Sequence, residues 1–315
     1  MKDSWPRWLH QPNTTVFRRV LFQVHAWSGI GLAAYIFVLC VTGSALVYRG
    51  EMFRMASQPP RVFEGPGDHL PDGELRRLAE AVHPGFRVSA LTRGRNPNHA
   101  VFVRLRNETG EVQRLFDPFT GVDVGPAVSP AIKFISWLSN LHDNLLSGAT
   151  GKAVNGVGGF LLMLLALTGA IVWWPGIRKW RYNLTVHRHV GWRRFTWELH
   201  GAVGFWTIGF ILLFGATGAF LGLQTEISAL ADLIEPPTNE NIETRVVDGV
   251  MYWLAYLHFG RFGGRFSGCG PTCNATFKAV WALSGLAAGV LAVTGAMMWW
   301  NRVIRRSVMV RPRKA

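Results

Sequence analysis

The sequence predicts an all-α transmembrane four-helix bundle, built from a duplicated two-helix unit, with a small α+β domain on one side of the membrane. Three observations lead there. The chain has 315 residues, of which 49% are hydrophobic and only 17% charged. That balance fits a membrane protein with one sizeable polar portion. Four stretches, 21–48, 151–176, 197–224 and 277–300, are long and apolar enough to cross about 30 Å of hydrocarbon. The hydrophobic segments also repeat. Without a gap, His25 aligns with His200, Gly29 with Gly204, Thr42-Gly43 with Thr217-Gly218 and Glu51 with Glu226. A second pair aligns Trp137-Leu138 and Leu141-His142 with Trp253-Leu254 and Leu257-His258, then Thr168-Gly169 and Trp173-Trp174 with Thr294-Gly295 and Trp299-Trp300.

Residues 1–20 form a basic lead, expected to be cytoplasmic. The first span, 21–48, is too long for a cleaved signal peptide and reads as a retained signal anchor. The region 49–129 alternates in character. Residues 72–83 have helical apolar spacing; 87–92, 99–105 and 113–116 have strand spacing; 107–110 reads as a hairpin turn. Asp117-Pro118-Phe119-Thr120-Gly121 makes a tight turn, with proline fixing φ and glycine supplying positive φ. Residues 130–150 hold an amphipathic interfacial helix with His142 on its apolar face, and 250–259 repeats the arrangement around His258. The second span is 151–176, followed by a basic loop, 177–196. The third span is 197–224. A polar region, 225–276, precedes the fourth span, 277–300, and the tail is 301–315.

The net charge of +14 raises the question of nucleic acid. Its distribution argues for a membrane instead. Arg and Lys concentrate in 2–19, 178–194 and 302–314, all on one side of the spans, which is the positive-inside pattern. Both termini are therefore expected in the cytoplasm. Tryptophans near span ends, among them Trp27, Trp173, Trp174, Trp197, Trp299 and Trp300, fit an interfacial belt. Cys40 reads as core filling. Cys269 and Cys273 face the expected external side and read as a structural disulfide or, more sharply, a redox-active pair. Three residues separate them and Asn274 follows, so no covalent Cys-x-x-Cys-His haem site is present.

Each of the four repeated parts owns one histidine, and this pattern carries the chemistry. His25 and His200 open the cytoplasmic ends of their helices. His142 and His258 precede theirs at the opposite face. Gly29 and Gly204 lie about one turn past their histidines, where a missing side chain leaves room for a flat macrocycle. Gly43 and Gly218 lie eighteen residues past them, about 27 Å along the same face, and offer a second gap for a macrocycle at the outer end. Two histidine pairs at opposite depths predict two non-covalent b-type haems, with His25 and His200 holding one and His142 and His258 the other. Two neutral imidazoles per iron make an electron-transfer centre. His187 and His189, in the basic loop, compete for the ligand role at the inner face. His10, His69, His83 and His99 read as surface residues. No Gly-x-Gly-x-x-Gly follows a strand and opens a helix, so no flavin or nicotinamide site is expected.

Leu141-His142-Asp143-Asn144-Leu145-Leu146-Ser147-Gly148, followed by a span ending in Thr168-Gly169 and Trp173-Trp174-Pro175, resembles the PepSY-associated transmembrane helix family. Phe116-Asp117-Pro118-Phe119-Thr120-Gly121 resembles the hairpin of a PepSY domain. The resemblance covers nearly the whole chain. It implies a PepSY-like periplasmic domain and a multi-pass protein of the bacterial inner membrane concerned with iron uptake. Some such proteins are haem-containing ferric-siderophore reductases. The expected partners are then a ferric siderophore, an electron donor (a quinol or a separate reductase) and the lipid bilayer, with no nucleic acid. Arg261 and Arg265 could dock an anionic chelate. A quinol-linked cytochrome b serving another acceptor, and a non-catalytic PepSY scaffold, are the alternatives.

Overall fold

The computed structural model describes residues 15–56, 63, 68–238, 245–260 and 270–304. The described chain is mostly helical, with one small antiparallel sheet. It divides into two units: 1–48 with 138–315, and 49–137.

The larger unit holds four long helices: α1 Val16–Leu46, α5 Gly148–Trp173, α6 Trp192–Gly222 and α9 Pro271–Arg302. Each is long and apolar enough to span a membrane. They start earlier than the hydrophobic stretches do, at Val16, Gly148, Trp192 and Pro271. A helix can run past the bilayer into polar flanks, because its backbone hydrogen bonds do not depend on side-chain polarity. Their side chains are arranged inside out. The buried positions include Thr42, Ser44, Gly156, Gly159, Gly215, Thr217, Ser284 and Thr294. Phe37, Leu161, Leu164, Leu167, Trp206, Leu283 and Val290 point outward. Lipid is as apolar as leucine, so packing selects small residues that let backbones approach. At the α5–α6 contact a Cβ on Gly159 would lie 2.7 Å from the Gly215 carbonyl oxygen, and one on Gly222 would meet the backbone of Gly156. Across α9 and α1, a Cβ on Gly289 would lie 3.6 Å from that of Cys40. Neighbours pack in the cycle α1–α5–α6–α9, so α1 and α6 stand on opposite corners.

Two shorter helices matter for the site. α4, Pro130–Asn144, ends at Leu145 and Leu146, whose φ values are +51° and +59°. This left-handed step turns the chain into α5. The apolar period alone extends to 147, so the break depends on local backbone geometry. α8, Val246–Phe259, ends on left-handed Gly260. A further helix, α7 Gln224–Ile234, follows α6 directly and was not foreseen from the sequence.

The smaller unit contains α2 Arg49–Ala56, α3 Asp72–Val82 and the sheet β1 Arg87–Thr92, β2 Val101–Asn107, β3 Gly110–Phe116 and β4 Asp123–Pro126, in spatial order β1-β2-β3-β4. The alternation of β2 buries Val101, Val103 and Leu105 with Leu75 and Ala79 of α3 and with Phe116. β4 was missed because four residues containing glycine and proline carry no strand period. At the 117–121 turn, Asp117 accepts from the Phe119 N–H at 2.8 Å and from the Thr120 hydroxyl at 2.8 Å. Gly121 has φ +69°, and a Cβ there would strike Leu78.

Asp123 accepts from Arg114 at 2.8 Å and faces His83 at 2.7 Å, so His83 is a partnered residue and not a free surface one. Burial alone would raise the Asp123 pKa. The Arg114 guanidinium, the Gly125 N–H and His83 outweigh it and hold the carboxyl below its ordinary value. A depressed pKa stabilises the fold above the ordinary aspartate range, and that contribution fades as pH falls through the folded value. Arg114→Met is therefore expected to lower thermal stability at neutral pH, with the difference from the parent shrinking in acid. Melting the full chain across pH 2 to 7 checks this.

Candidate functional site

In the larger unit the four repeated histidines meet in two pairs. The rings of His25 (α1) and His200 (α6) have centres 6.4 Å apart, with planes at 76°. Those of His142 (α4) and His258 (α8) have centres 6.2 Å apart, with planes at 40°. Each pair takes one ring from each repeat.

Each of the four rings sets Nδ1 against a threonine hydroxyl, and His25 Nδ1 also faces the Leu165 carbonyl at 3.1 Å. His25 Nδ1 lies 3.2 Å from Thr168 Oγ1, and His200 Nδ1 lies 2.8 Å from Thr294 Oγ1. His142 Nδ1 lies 3.1 Å from Thr42 Oγ1, and His258 Nδ1 lies 2.8 Å from Thr217 Oγ1. These are the threonines of the four repeated Thr-Gly dipeptides. Each threonine hydroxyl also donates to a backbone carbonyl one turn earlier: Val38, Leu164, Leu213 and Val290, at 2.7, 3.0, 2.7 and 2.8 Å. A hydroxyl has one hydrogen. With that hydrogen spent on the carbonyl, the oxygen accepts from the imidazole Nδ1–H. The tautomer follows: Nε2 carries the free lone pair in all four rings.

The glycines of the same dipeptides lie under the rings. A Cβ on Gly43 would stand 2.7 Å from His142 Cε1, and one on Gly169 would stand 2.9 Å from His25 Cε1. The distances for Gly295 to His200 and Gly218 to His258 are 3.3 and 3.8 Å. The clearance at Gly43, expected to admit a macrocycle, is filled by the His142 imidazole. Gly29 and Gly204 behave differently: a Cβ on either would meet only a leucine, at 3.8 Å. His187 is engaged elsewhere. Its Nδ1 lies 3.0 Å from Glu198, and its ring stacks on Tyr182 at 4.5 Å. His189 is exposed.

Four more residues serve the His142–His258 pair. Asn155 Nδ2 donates to the His142 carbonyl at 2.7 Å, and the Tyr35 hydroxyl donates to Asn155 Oδ1 at 3.2 Å. In the other repeat, Trp281 Nε1 donates to the Leu257 carbonyl at 2.8 Å, with the Phe210 ring edge-on at 5.5 Å. Asn155 aligns with Trp281, and Tyr35 with Phe210. Each pair ties down the end of a histidine-bearing helix, one with polar and one with aromatic chemistry. A search for identical residues passes over them; the register of the repeat is the signal that finds them.

An imidazole nitrogen sits about 2.0 Å from a bound metal and about 1.1 Å from its own ring centre, so two imidazoles trans on one metal have centres about 6.2 Å apart. Both observed separations match. No group of three or more His, Cys, Asp or Glu that could hold a bare ion occurs among the described residues. Two imidazoles at this separation fit a group that brings its own equatorial donors, as a haem does. Cys273 is disulfide-bonded, whereas Cys269, Arg261 and Arg265 lie outside the described residues.

The PepSY-associated TM region family matches residues 22–244 and 234–302, which takes in both histidine pairs. The chain belongs to this family. An uncharacterized protein of Pseudomonas aeruginosa is 37% identical over 103 residues, covering 32% of this chain. The match takes in 24% of that relative, so the chain spans about a quarter of its length. The family and the four apolar helices establish a multi-pass membrane protein.

Proposed function

We propose that this PepSY-associated protein holds two b-type haems, on His25 with His200 and on His142 with His258, and reduces a ferric siderophore by passing electrons across the bacterial inner membrane. The observation that carries the reading is the shared geometry of the pairs: both ring-centre distances match bis-imidazole ligation, and all four rings set Nδ1 against a threonine oxygen. A haem held by two imidazoles would supply one-electron transfer there. The chain's own residues orient and insulate. Each threonine holds a ring in one tautomer, and the surrounding apolar helices keep water from the rings. The basic segments 2–19, 178–194 and 302–314 support cytoplasmic termini. The small α+β unit would then be a PepSY-like periplasmic domain. Electrons enter from a quinol or a separate reductase. Reduction weakens the hold of an oxygen chelate on iron, which frees it for uptake.

The test is direct. Purified protein, reduced with dithionite and freed of excess reductant under anaerobic conditions, is mixed with ferric siderophore in the presence of a ferrous-selective chelator. Two haems per chain, rapid reoxidation and trapped ferrous iron are expected. Haem without reoxidation by any ferric chelate would move the reading to a quinol-linked cytochrome b. A folded protein with no Soret band would leave a membrane scaffold.

The threonines give a finer expectation. Thr217→Val should weaken haem retention at the His258 pair by about 10- to 100-fold, the usual cost of losing an outer partner of a metal-bound histidine. Its reduction potential should rise, because an imidazole without an Nδ1–H acceptor donates less charge. Thr217→Ser should restore both. Haem titration and potentiometry of the three proteins check this.

A further inference from the structure

The indoles of Trp173 and Trp299 each bury their N–H with no acceptor among the described residues. A buried donor without a partner is uncommon and asks for an explanation. The two occupy equivalent places in the repeats. Trp173 follows Gly169 by four residues on α5, and Trp299 follows Gly295 by four on α9. Each is about 6 Å, one turn, beyond the seat of a histidine of the His25–His200 pair. The lateral contacts agree. A Cβ on Gly201, the residue after His200, would lie 3.4 Å from the Trp173 indole nitrogen. Trp299 packs edge-on against Trp27, two residues after His25, at 5.4 Å. Trp173 is held by stacking on Phe205 at 4.7 Å.

A third orphan lies at the same end. Arg18 Nη2 donates to the Val172 carbonyl at 2.6 Å, while its Nε is buried and unpartnered. Arg18 precedes His25 by seven residues, two turns, and so shares its helix face. These three orphans are all donors, and one belongs to a permanent cation. Three donors, one of them a cation, suit an anionic acceptor, of which a carboxylate is one.

We propose that Trp173, Trp299 and Arg18 form the receptor for the carboxylate edge of the tetrapyrrole held by His25 and His200, an inference that rests on the haem reading above. An indole offers a single donor in a fixed direction, so two of them would set the rotation of the ring about its histidine axis. The carboxylates would face the α1 start, and the apolar edge would face the middle of the bundle.

The experiment compares the full chain, freed of haem and reloaded, with protohaem or with its dimethyl ester. Charge-assisted hydrogen bonds of this kind change affinity by about tenfold or more each. Parent protein is expected to retain the free acid at least tenfold more tightly than the ester at the His25–His200 pair. Trp173→Phe/Trp299→Phe keeps the aromatic packing and is expected to erase most of that preference. It is also expected to shift one of the two redox transitions to lower potential, since carboxylates stripped of donors favour the ferric state. Trp300→Phe, at an exposed indole, should change neither. Equal retention of acid and ester by the parent overturns the proposal without any variant. So does a double variant that binds two haems with preference and potentials unchanged. Absence of haem from the folded parent instead removes the haem reading itself, which the parent spectrum alone reveals.

Discussion

Purified His200→Ala protein is expected to contain one haem per chain where the parent contains two, with the spectrum of the remaining haem unchanged. The pair losing its ligand is His25–His200. The other pair hangs from different anchors, Thr42 and Thr217. Thr42 lies seventeen residues beyond His25 on α1, about 25 Å along the helix. At that distance, with no shared partner, effects on the two sites should be independent. His258→Ala is expected to do the converse, sparing the His25–His200 haem. Haem stoichiometry and reduced-minus-oxidised spectra of the four single alanine variants decide it. Loss of all haem from a folded single variant would sink the two-site arrangement.

Gly43→Ala is expected to cost its own pair about tenfold or more in haem affinity, comparable to losing an outer partner of a ligand histidine. The new methyl carbon would stand 2.7 Å from His142 Cε1, closer than atoms tolerate, and the ring must swing away. Gly169→Ala should act likewise on the His25 pair, where the approach is 2.9 Å. Gly218→Ala meets only an ordinary contact at 3.8 Å and should load normally. Gly222→Ala forms a third class. Its Cβ would enter the backbone of α5, so both haems and the yield of folded protein should fall together. Haem content and spectra of folded, monodisperse variants separate the three. A normally loaded Gly43→Ala protein would contradict the seating described for His142.

Much of this architecture was legible in one dimension because it obeys short periods. Four apolar stretches announced four long helices, since bilayer thickness sets a length that composition must meet. The sheet strands around Val101 and Phe116 were legible from alternation; β4 and α7 were not, because they are too short or too irregular to carry a period. The duplicated unit singled out the four histidines: His25 with Thr42-Gly43 and His200 with Thr217-Gly218 share one spacing, while His142 and His258 recur in a common Trp-Leu and Leu-His frame.

Composition and repeat thus specify four long apolar helices and four matched histidines. What each residue does for another comes from packing in three dimensions. His25 meets a threonine more than a hundred residues away on α5, and His142 meets one a hundred residues earlier on α1. No local period relates such positions. The glycines illustrate the difference: along α1, Gly29 and Gly43 both read as gaps for a cofactor, yet one faces only a leucine and the other an imidazole. Which gap a side chain fills depends on the approach of a second helix, and that is set by packing in three dimensions.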